Sequence, residues 1–393
     1  MHKTTELPIM QKKTILFVHQ SSELYGSDKT LLNLVVGLDK NYFTPIVVIP
    51  SRGRLLVELK KHQIKTIITP VLNIHKKMFN IKSLVLLPYQ LFKSIKTLNK
   101  ALKHQKIDVI QTNTVVVMLG FIYARLKKIT HIWHIHEVME KPKAAVFLFP
   151  KLVQLFSNLV IFNSQSTKES FCENVQKLSK KSKIIYNGLD RETPSLKHKQ
   201  LKQLKEKLKI HQDNLVLSLV GRYNNNKGHE LLLKSFKKVV AKHKNTTLLF
   251  TGSPVKGKEH MFDHIKHKIE AYQLSKYVKV LPFQNNIWDI WDITDIAIVP
   301  STIKESFGLV ALEAMLSSKP VIATNYGALS EVVQNNETGY LFNLNDEVDL
   351  QQKIELLIKN HTKRQHFGKN GKLRALTHFT LDQYVNQFEA IYK

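Results

Sequence analysis

Short apolar runs alternate with longer stretches of helical spacing along the whole chain. Runs rich in Val, Ile and Leu and bounded by turn residues read as strands buried on both faces, so the pattern predicts repeated βα units and parallel sheets. In the first half the predicted strands are 14–19, 44–50, 66–69, 108–112, 131–136, 159–163 and 183–186. The turn pair Asn187-Gly188 and Pro194 interrupt this rhythm, and 197–209 is a Lys-dominated helical run with little apolar periodicity, which reads as a linker. Strands resume at 215–220, 247–251, 278–281, 296–300, 320–324 and 339–342. The expected class is α/β, with a Rossmann-like domain at 1–190, a linker at 191–213 and a second Rossmann-like domain at 214–375. The two domains are expected to face a central cleft. A helix within 376–393 is expected to cross back onto the first domain.

A chain of 393 residues, 43% hydrophobic and 9% aromatic, has ample material for two packed cores and none of the composition of a disordered protein. Cys172 is its single cysteine, which excludes an intrachain disulfide or a Cys-based metal cage and fits a reducing cytosol. The first apolar run, 14–18, is short for a secretory signal, and the nearest approach to a spanning segment, 144–162, is broken by Lys151. The expected location is cytoplasmic. The 59 Lys and Arg against 31 Asp and Glu give a net charge of +28, which attracts nucleic acid, anionic lipid or a phosphorylated substrate alike. No acidic residue occurs in 71–107, where Lys76, Lys77, Lys82, Lys93, Lys96, Lys100, Lys103 and Lys106 accompany Ile81, Leu84, Leu86, Leu87, Leu91 and Phe92. Such a helix suits an anionic membrane surface, and equally an ordinary crossover helix with a Lys-rich outer side.

The segment Val299-Pro-Ser-Thr-Ile-Lys-Glu305-Ser-Phe-Gly308-Leu-Val-Ala-Leu-Glu313 runs from a strand end through a loop into a helix, the place where open α/β sheets bind ligands. Gly308 permits close approach, and the first amides of the helix, at Gly308, Leu309 and Val310, suit an anion such as phosphate. Glu305 stands in the loop before that anion, and Glu313 is spaced to accept hydrogen bonds from vicinal hydroxyls. The bland alternative makes them a loop acid and a helix-surface charge. In Gly221-Arg222-Tyr-Asn-Asn-Asn-Lys227-Gly228, at the end of the second domain's first strand, Arg222 and Lys227 are placed to neutralise a diphosphate leaving group without metal, or are plain surface cations. In His131-Ile-Trp-His134-Ile-His136, strand alternation puts His134 and His136 on one face, as core histidines, a metal pair that His131 joins, or a substrate contact. Leu24-Tyr25-Gly26-Ser27-Asp28 opens the first helix, with Ser27 or Asp28 as its N-cap or Gly26 as part of a binding loop.

Together these segments resemble the retaining glycosyltransferases of family 4, which have the two-domain GT-B fold. Glu305 to Glu313 matches the E-x7-E motif, Arg222 to Gly228 the G-R-x-x-x-x-K-G element, His136 the amino-terminal-domain histidine and Gly26 a glycine loop that carries two adjacent glycines in many members. The resemblance implies transfer of a hexosyl or N-acetylhexosaminyl unit from a nucleotide-diphosphate-sugar to a glycan or polyprenyl-linked saccharide, as in cell-surface polysaccharide synthesis. It implies no cofactor and no metal. It makes Glu305, His136, Arg222 and Lys227 catalytic and places Gly26, Arg222, Lys227, Glu305, Phe307, Gly308, Leu309 and Glu313 around the donor. It is weakest over 51–106, the part that usually faces the acceptor.

Two other function classes stay open: a metal-dependent hydrolase built on His131, His134 and His136, and a basic nucleic-acid-binding protein. The second lacks any recognition-helix, RNP or zinc-finger signature, so no nucleic acid is expected as a partner. Gly252-Ser-Pro-Val-Lys-Gly257-Lys258-Glu259 misses a P-loop because Glu259 stands where Ser or Thr must hold magnesium. No G-x-G-x-x-G follows the first strand, and no D-x-D occurs. A metal-independent transferase, cytoplasmic and peripheral at the inner face of the membrane, is the expectation that remains.

Overall fold

Along β1 (Lys13–Val18), alternate side chains enter two different cores: Ile15 and Phe17 one, Leu16 and Val18 the other. A strand buried on both faces needs helices on both sides, which is what parallel βα connections supply. The computed structural model describes residues 12–74, 81–140, 142–173, 175–255 and 257–393, with the side chains of 81–84 left aside. Lys76, Lys77 and the side chains of Ile81, Lys82 and Leu84 from the basic stretch therefore lie outside the described residues.

All thirteen predicted strands are present, with no end moved by more than two residues. The first sheet contains β1, β2 (Phe43–Ile49), β3 (Lys65–Ile68), β4 (Val109–Asn113), β5 (Thr130–Ile135), β6 (Leu159–Phe162) and β7 (Ser182–Ile184). Their order is β3-β2-β1-β4-β5-β6-β7, parallel throughout. The second sheet contains β8 (Leu215–Val220), β9 (Thr246–Thr251), β10 (Val278–Leu281), β11 (Ile296–Val299), β12 (Val321–Thr324) and β13 (Gly339–Phe342). Its order is β10-β9-β8-β11-β12-β13, again parallel. In each sheet the chain winds outward from a central strand and then restarts beside it. That leaves a crevice at the carboxyl ends of β1 and β4 in one sheet and of β8 and β11 in the other.

The chain divides into two compact units, one comprising the described residues up to Gly188 with Leu381–Lys393, the other Leu189–Thr380. The last helix, Leu381–Tyr392, belongs to the first unit because it is amphipathic: Tyr384, Val385, Phe388 and Tyr392 enter the core that Ile15, Phe17 and Leu34 form. Its polar side is tied in as well, with Glu389 accepting the Asp39 amide at 2.7 Å and the Tyr392 hydroxyl donating to Gln111.

The 191–213 stretch does not behave as a free linker. Arg191 grips Asp292 with two guanidinium nitrogens at 2.9 and 2.8 Å and reaches Ser317 at 3.0 Å, while the Leu196 amide donates to the same Asp292 at 2.7 Å. The Lys-rich helix His198–Lys207 buries none of its residues, which is why it shows no apolar periodicity. It is held by polar contacts at its flanks, including the bidentate arginine fork, the strongest kind of ion pair available to it.

Candidate functional site

After β8 the chain passes Gly221 and Arg222 and turns through Asn225–Lys227, a single 3-10 turn. Asn224 fixes that turn by accepting the Asn226 and Lys227 amides at 3.0 and 3.2 Å. Gly228 follows at φ +69°, and the helix His229–Lys242 begins. A Cβ at Gly228 would sit 1.9 Å from the Pro300 carbonyl oxygen, so glycine is what lets this loop lie against the end of β11. The contact is sewn by backbone: the Thr302 amide donates to Asn226 at 2.9 Å and its hydroxyl to Asn225 at 2.7 Å.

That seam brings the expected residues together. Lys227 Nζ lies 2.5 Å from Glu305 Oε1, and Ser301 Oγ donates to the same oxygen at 2.6 Å. Glu305 is 16% exposed. Burial pushes its carboxyl up, but the Lys227 charge, the hydrogen bonds from Lys227 and Ser301 and the Arg222 charge outweigh burial, and the net shift is downward. Glu305 is thus a carboxylate at neutral pH. Its carbonyl accepts the Ala328 amide at 2.9 Å, so the loop is also pinned from the Gly327 side. Gly308, at φ +99°, caps the helix Leu309–Leu316, whose first amides have no intrahelical acceptor, as at any helix start. Phe307 is buried, edge-on to Phe379 at 5.7 Å, and Leu309 begins the helix. Glu313 is no surface charge: it is 9% exposed, and Trp291 Nε1 donates to it at 3.3 Å. One end of the second sheet thus gathers two cations, a carboxylate and a helix start, the set needed to hold an anion and orient what is attached to it.

On the flank of the same loop lies a cavity of about 650 Å³ lined by Asn224, Asn225, His229 and Thr302 among others. Arg222, Lys227 and Glu305 are not in its wall. His229 is buried against Tyr223, with ring centroids 4.6 Å apart.

In the first unit, His134 and His136 share a face of β5 and its extension, with ring centroids 3.8 Å apart, and His134 packs on Phe388. His131 points the other way. It is fixed by Thr112 at 2.8 Å and the Phe156 carbonyl at 2.9 Å, so the three-histidine metal centre does not form. The alternation that pairs His134 with His136 is what sends His131 to the opposite face. Among the described residues no group of His, Cys, Asp and Glu is placed to hold a metal ion. Burial, with the His19 charge, holds His136 down at about 3, so its imidazole is neutral. Gly26 begins the first helix, Gly26–Gly37, and is exposed. Asp28 is not the N-cap: it sits three residues beyond Tyr25, accepting the Tyr25 amide at 2.8 Å and bonding His19 Nε2 at 2.7 Å.

These buried imidazoles make stability pH-dependent. Burial lowers His131 to about 4 and His229 to about 3, alongside His136 at about 3. Between those values and the ordinary 6.5 or so of the unfolded chain, the unfolded state binds more protons, so stability falls as pH drops through that window. Each histidine contributes a slope of roughly 1.4 kcal/mol per pH unit. Glu137, pushed up by burial to about 7, opposes them with the reverse sign but is one group against four, since burial also holds His134 well below its ordinary value. Thermal midpoints in a constant-ionic-strength buffer series should fall between about pH 6.5 and 4; a flat profile would mean the imidazoles are solvated.

The partners of this site left little mark in local sequence. Ser301 stands four residues before Glu305 in the same loop, while Trp291 beneath Glu313 and the close approach of Pro300 to Gly228 are set by the fold, not by any spacing along one segment.

Comparison with known proteins agrees with both halves. The model of "Glycosyl transferases group 1" matches residues 201–374, and that of "Glycosyltransferase Family 4" matches 25–193. Among curated proteins, the chain is similar to the capsular polysaccharide biosynthesis glycosyltransferase CapM of Staphylococcus aureus, at 28% identity over 63% of this chain and 64% of that protein. It is also similar to the N-acetyl-alpha-D-glucosaminyl L-malate synthase of Bacillus anthracis, at 27% identity over 55% of this chain and 54% of the other. The matched parts thus fall short of two thirds of either relative's length. Among solved structures, Anabaena Alr3699/HepE in complex with UDP and glucose shares the fold with a TM-score of 0.84 at 23% identity, covering 96% of this chain and 98% of that one. With two Rossmann-like sheets, and with family models matching its two halves in turn, the chain belongs to the group 1 and family 4 glycosyltransferases of the GT-B fold.

Proposed function

We propose that the protein moves a hexosyl or N-acetylhexosaminyl unit, with retention, from a nucleotide-diphosphate-sugar to a glycan or lipid-linked saccharide in polysaccharide synthesis. The observation that carries this reading is the Lys227–Glu305 pair at 2.5 Å, held where β8 and β11 end and followed at once by the helix start at Gly308. A diphosphate there meets the Lys227 ammonium, the Arg222 guanidinium and the first helix amides. As the bond from the anomeric carbon to the diphosphate lengthens, negative charge grows on the leaving oxygen, and these fixed positive groups stabilise it more than they stabilise the bound donor. Glu305 orients the donor sugar, and the acceptor hydroxyl attacks from the face the diphosphate leaves, passing its proton to the departing diphosphate oxygen as the new bond to the anomeric carbon forms and the old one breaks. Glu313, buried on Trp291, is the carboxylate for the ribose hydroxyls. Neutral His136 is suited to a hydrogen bond with a sugar hydroxyl, on donor or acceptor.

Two relatives support the substrate class by what they are named for: CapM for capsular polysaccharide biosynthesis, and the Anabaena protein for its complex with UDP and glucose. No metal is required in this scheme, because charge is supplied by side chains and amides. A thermal-shift panel of UDP-, GDP- and ADP-sugars should therefore raise the melting temperature with one base class, and turnover of that donor should persist in EDTA. Absence of any shift across the panel, or activity abolished by EDTA and restored by magnesium, would overturn the reading.

A further inference from the structure

We propose that one face of the first unit, formed by the helices Ile81–Ala101, Leu119–Lys127 and Lys143–Phe156, docks on an anionic lipid bilayer. The three helices lie together on one side of the sheet, with Gln165–Cys172 beside the third: their inward residues share a core with Leu16, Val18, Trp133 and Phe162. They are neighbours. Tyr123 of the middle helix donates to Asn99 of the first at 3.1 Å, and Phe121 stacks on Phe156 of the third with ring centroids 4.9 Å apart.

What singles this face out is its outer side. The first helix already commits Leu87, Leu91 and Leu98 to the core, yet Val85, Tyr89 and Phe92 stand 72%, 63% and 66% exposed along a second stripe. The third helix commits Phe149 and Val153 inward and leaves Phe147, Leu148 and Leu155 outside. A helix that merely crosses over a sheet needs one apolar stripe. Interleaved with the outer stripes are Lys93, Lys96, Lys100, Lys143 and Lys151, the last lying over the Phe147 ring at 3.5 Å. None of the three helices contains an Asp or Glu. The opposite side of the same sheet differs, since its helices bring Glu58 and Asp382 to the surface.

Aromatic and aliphatic side chains among lysines, with no carboxylate, suit the boundary between anionic headgroups and acyl chains. Rings enter the apolar layer while lysine stems run along it and leave the ammonium at the phosphates. A second copy of the chain is a poor occupant, because two wholly cationic faces repel. Among the described residues no helix is long and apolar enough to cross a membrane, so the face lies on the bilayer rather than in it.

Flotation of the full chain with phosphatidylcholine vesicles, with and without phosphatidylglycerol, tests this. Binding is expected only with the anionic lipid, weakening as salt is raised. Phe92→Glu combined with Phe147→Glu should lower vesicle affinity by about tenfold or more, counting roughly a factor of five for each charge introduced near the surface. Lys60→Glu with Lys61→Glu, the control on the other face, should retain vesicle binding within about threefold, since those residues stay away from the bilayer. Donor-induced thermal shift of the Phe92/Phe147 variant should match the parent, which keeps this result separate from the sugar-transfer reading. Equal binding to neutral vesicles, no binding at all, or equal loss in the control would overturn the proposal. So would a concentration-dependent dimer that the Phe variants dissolve.

Discussion

Lys227→Ala is expected to lower turnover by about two to three orders of magnitude, the loss typical when one preorganised group is removed from a developing oxyanion. The Lys227 ammonium is held against the Glu305 carboxylate at 2.5 Å rather than waving in solvent. Truncation removes charge from the leaving group and also strands a largely buried carboxylate, so about 1–3 kcal/mol of stability should be lost with it. Glu305→Gln separates the two effects. The amide oxygen still accepts from Lys227 and Ser301, so stability should change little, while the charge that orients the sugar is gone and turnover should fall comparably. Groups that act as one unit are strongly non-additive, and the double variant should be about as slow as the slower single one. Steady-state turnover with saturating donor, beside thermal midpoints, reads all three. If either single variant turns over within about threefold of the parent, the residue is structural and the assignment fails.

Much of this architecture is legible in the amino-acid sequence, and for a physical reason. Strands buried on both faces are mostly apolar, so β1, β8 and β11 stand out along the chain, and the residues at the carboxyl ends of such central strands are where ligands bind. Arg222, Lys227, Glu305 and Gly308 are therefore recognisable as candidates from position alone. Their assembly is not. Gly228 meeting Pro300, Lys227 reaching Glu305 and Arg191 gripping Asp292 all join segments distant in sequence, and no periodicity records such a contact. The same blindness makes 191–213 read as a linker, because its anchors are polar and remote while periodicity detects only apolar ones. His131 fails as a metal ligand for a simpler cause: the period of two that pairs His134 with His136 excludes it from their face.

The second large effect is expected at a residue with no side chain. Gly228→Ala should destabilise the second unit by about 2–4 kcal/mol, combining the cost of an L residue in the left-handed region with an unavoidable collision. Gly228 has φ +69°, and its added methyl would lie 1.9 Å from a backbone oxygen, that of Pro300, which cannot rotate away as a side chain tip would. Relief requires the β8 loop and the β11 loop to separate. Lys227 precedes the first collision partner directly, and Ser301 follows the second, so separation lengthens the Lys227–Glu305 contact without altering either residue. Turnover should consequently drop by at least about tenfold even at temperatures where the variant is fully folded. Gly257→Ala isolates the conformational part: Gly257 has φ +77° but nothing within 4 Å of the added methyl, so its cost should be only about 1 kcal/mol with normal turnover. Urea unfolding and turnover measured on both variants decide the matter. Equal stability losses would assign the effect to backbone strain alone, and full activity in the Gly228 variant would show that the two loops need not touch for the site to work.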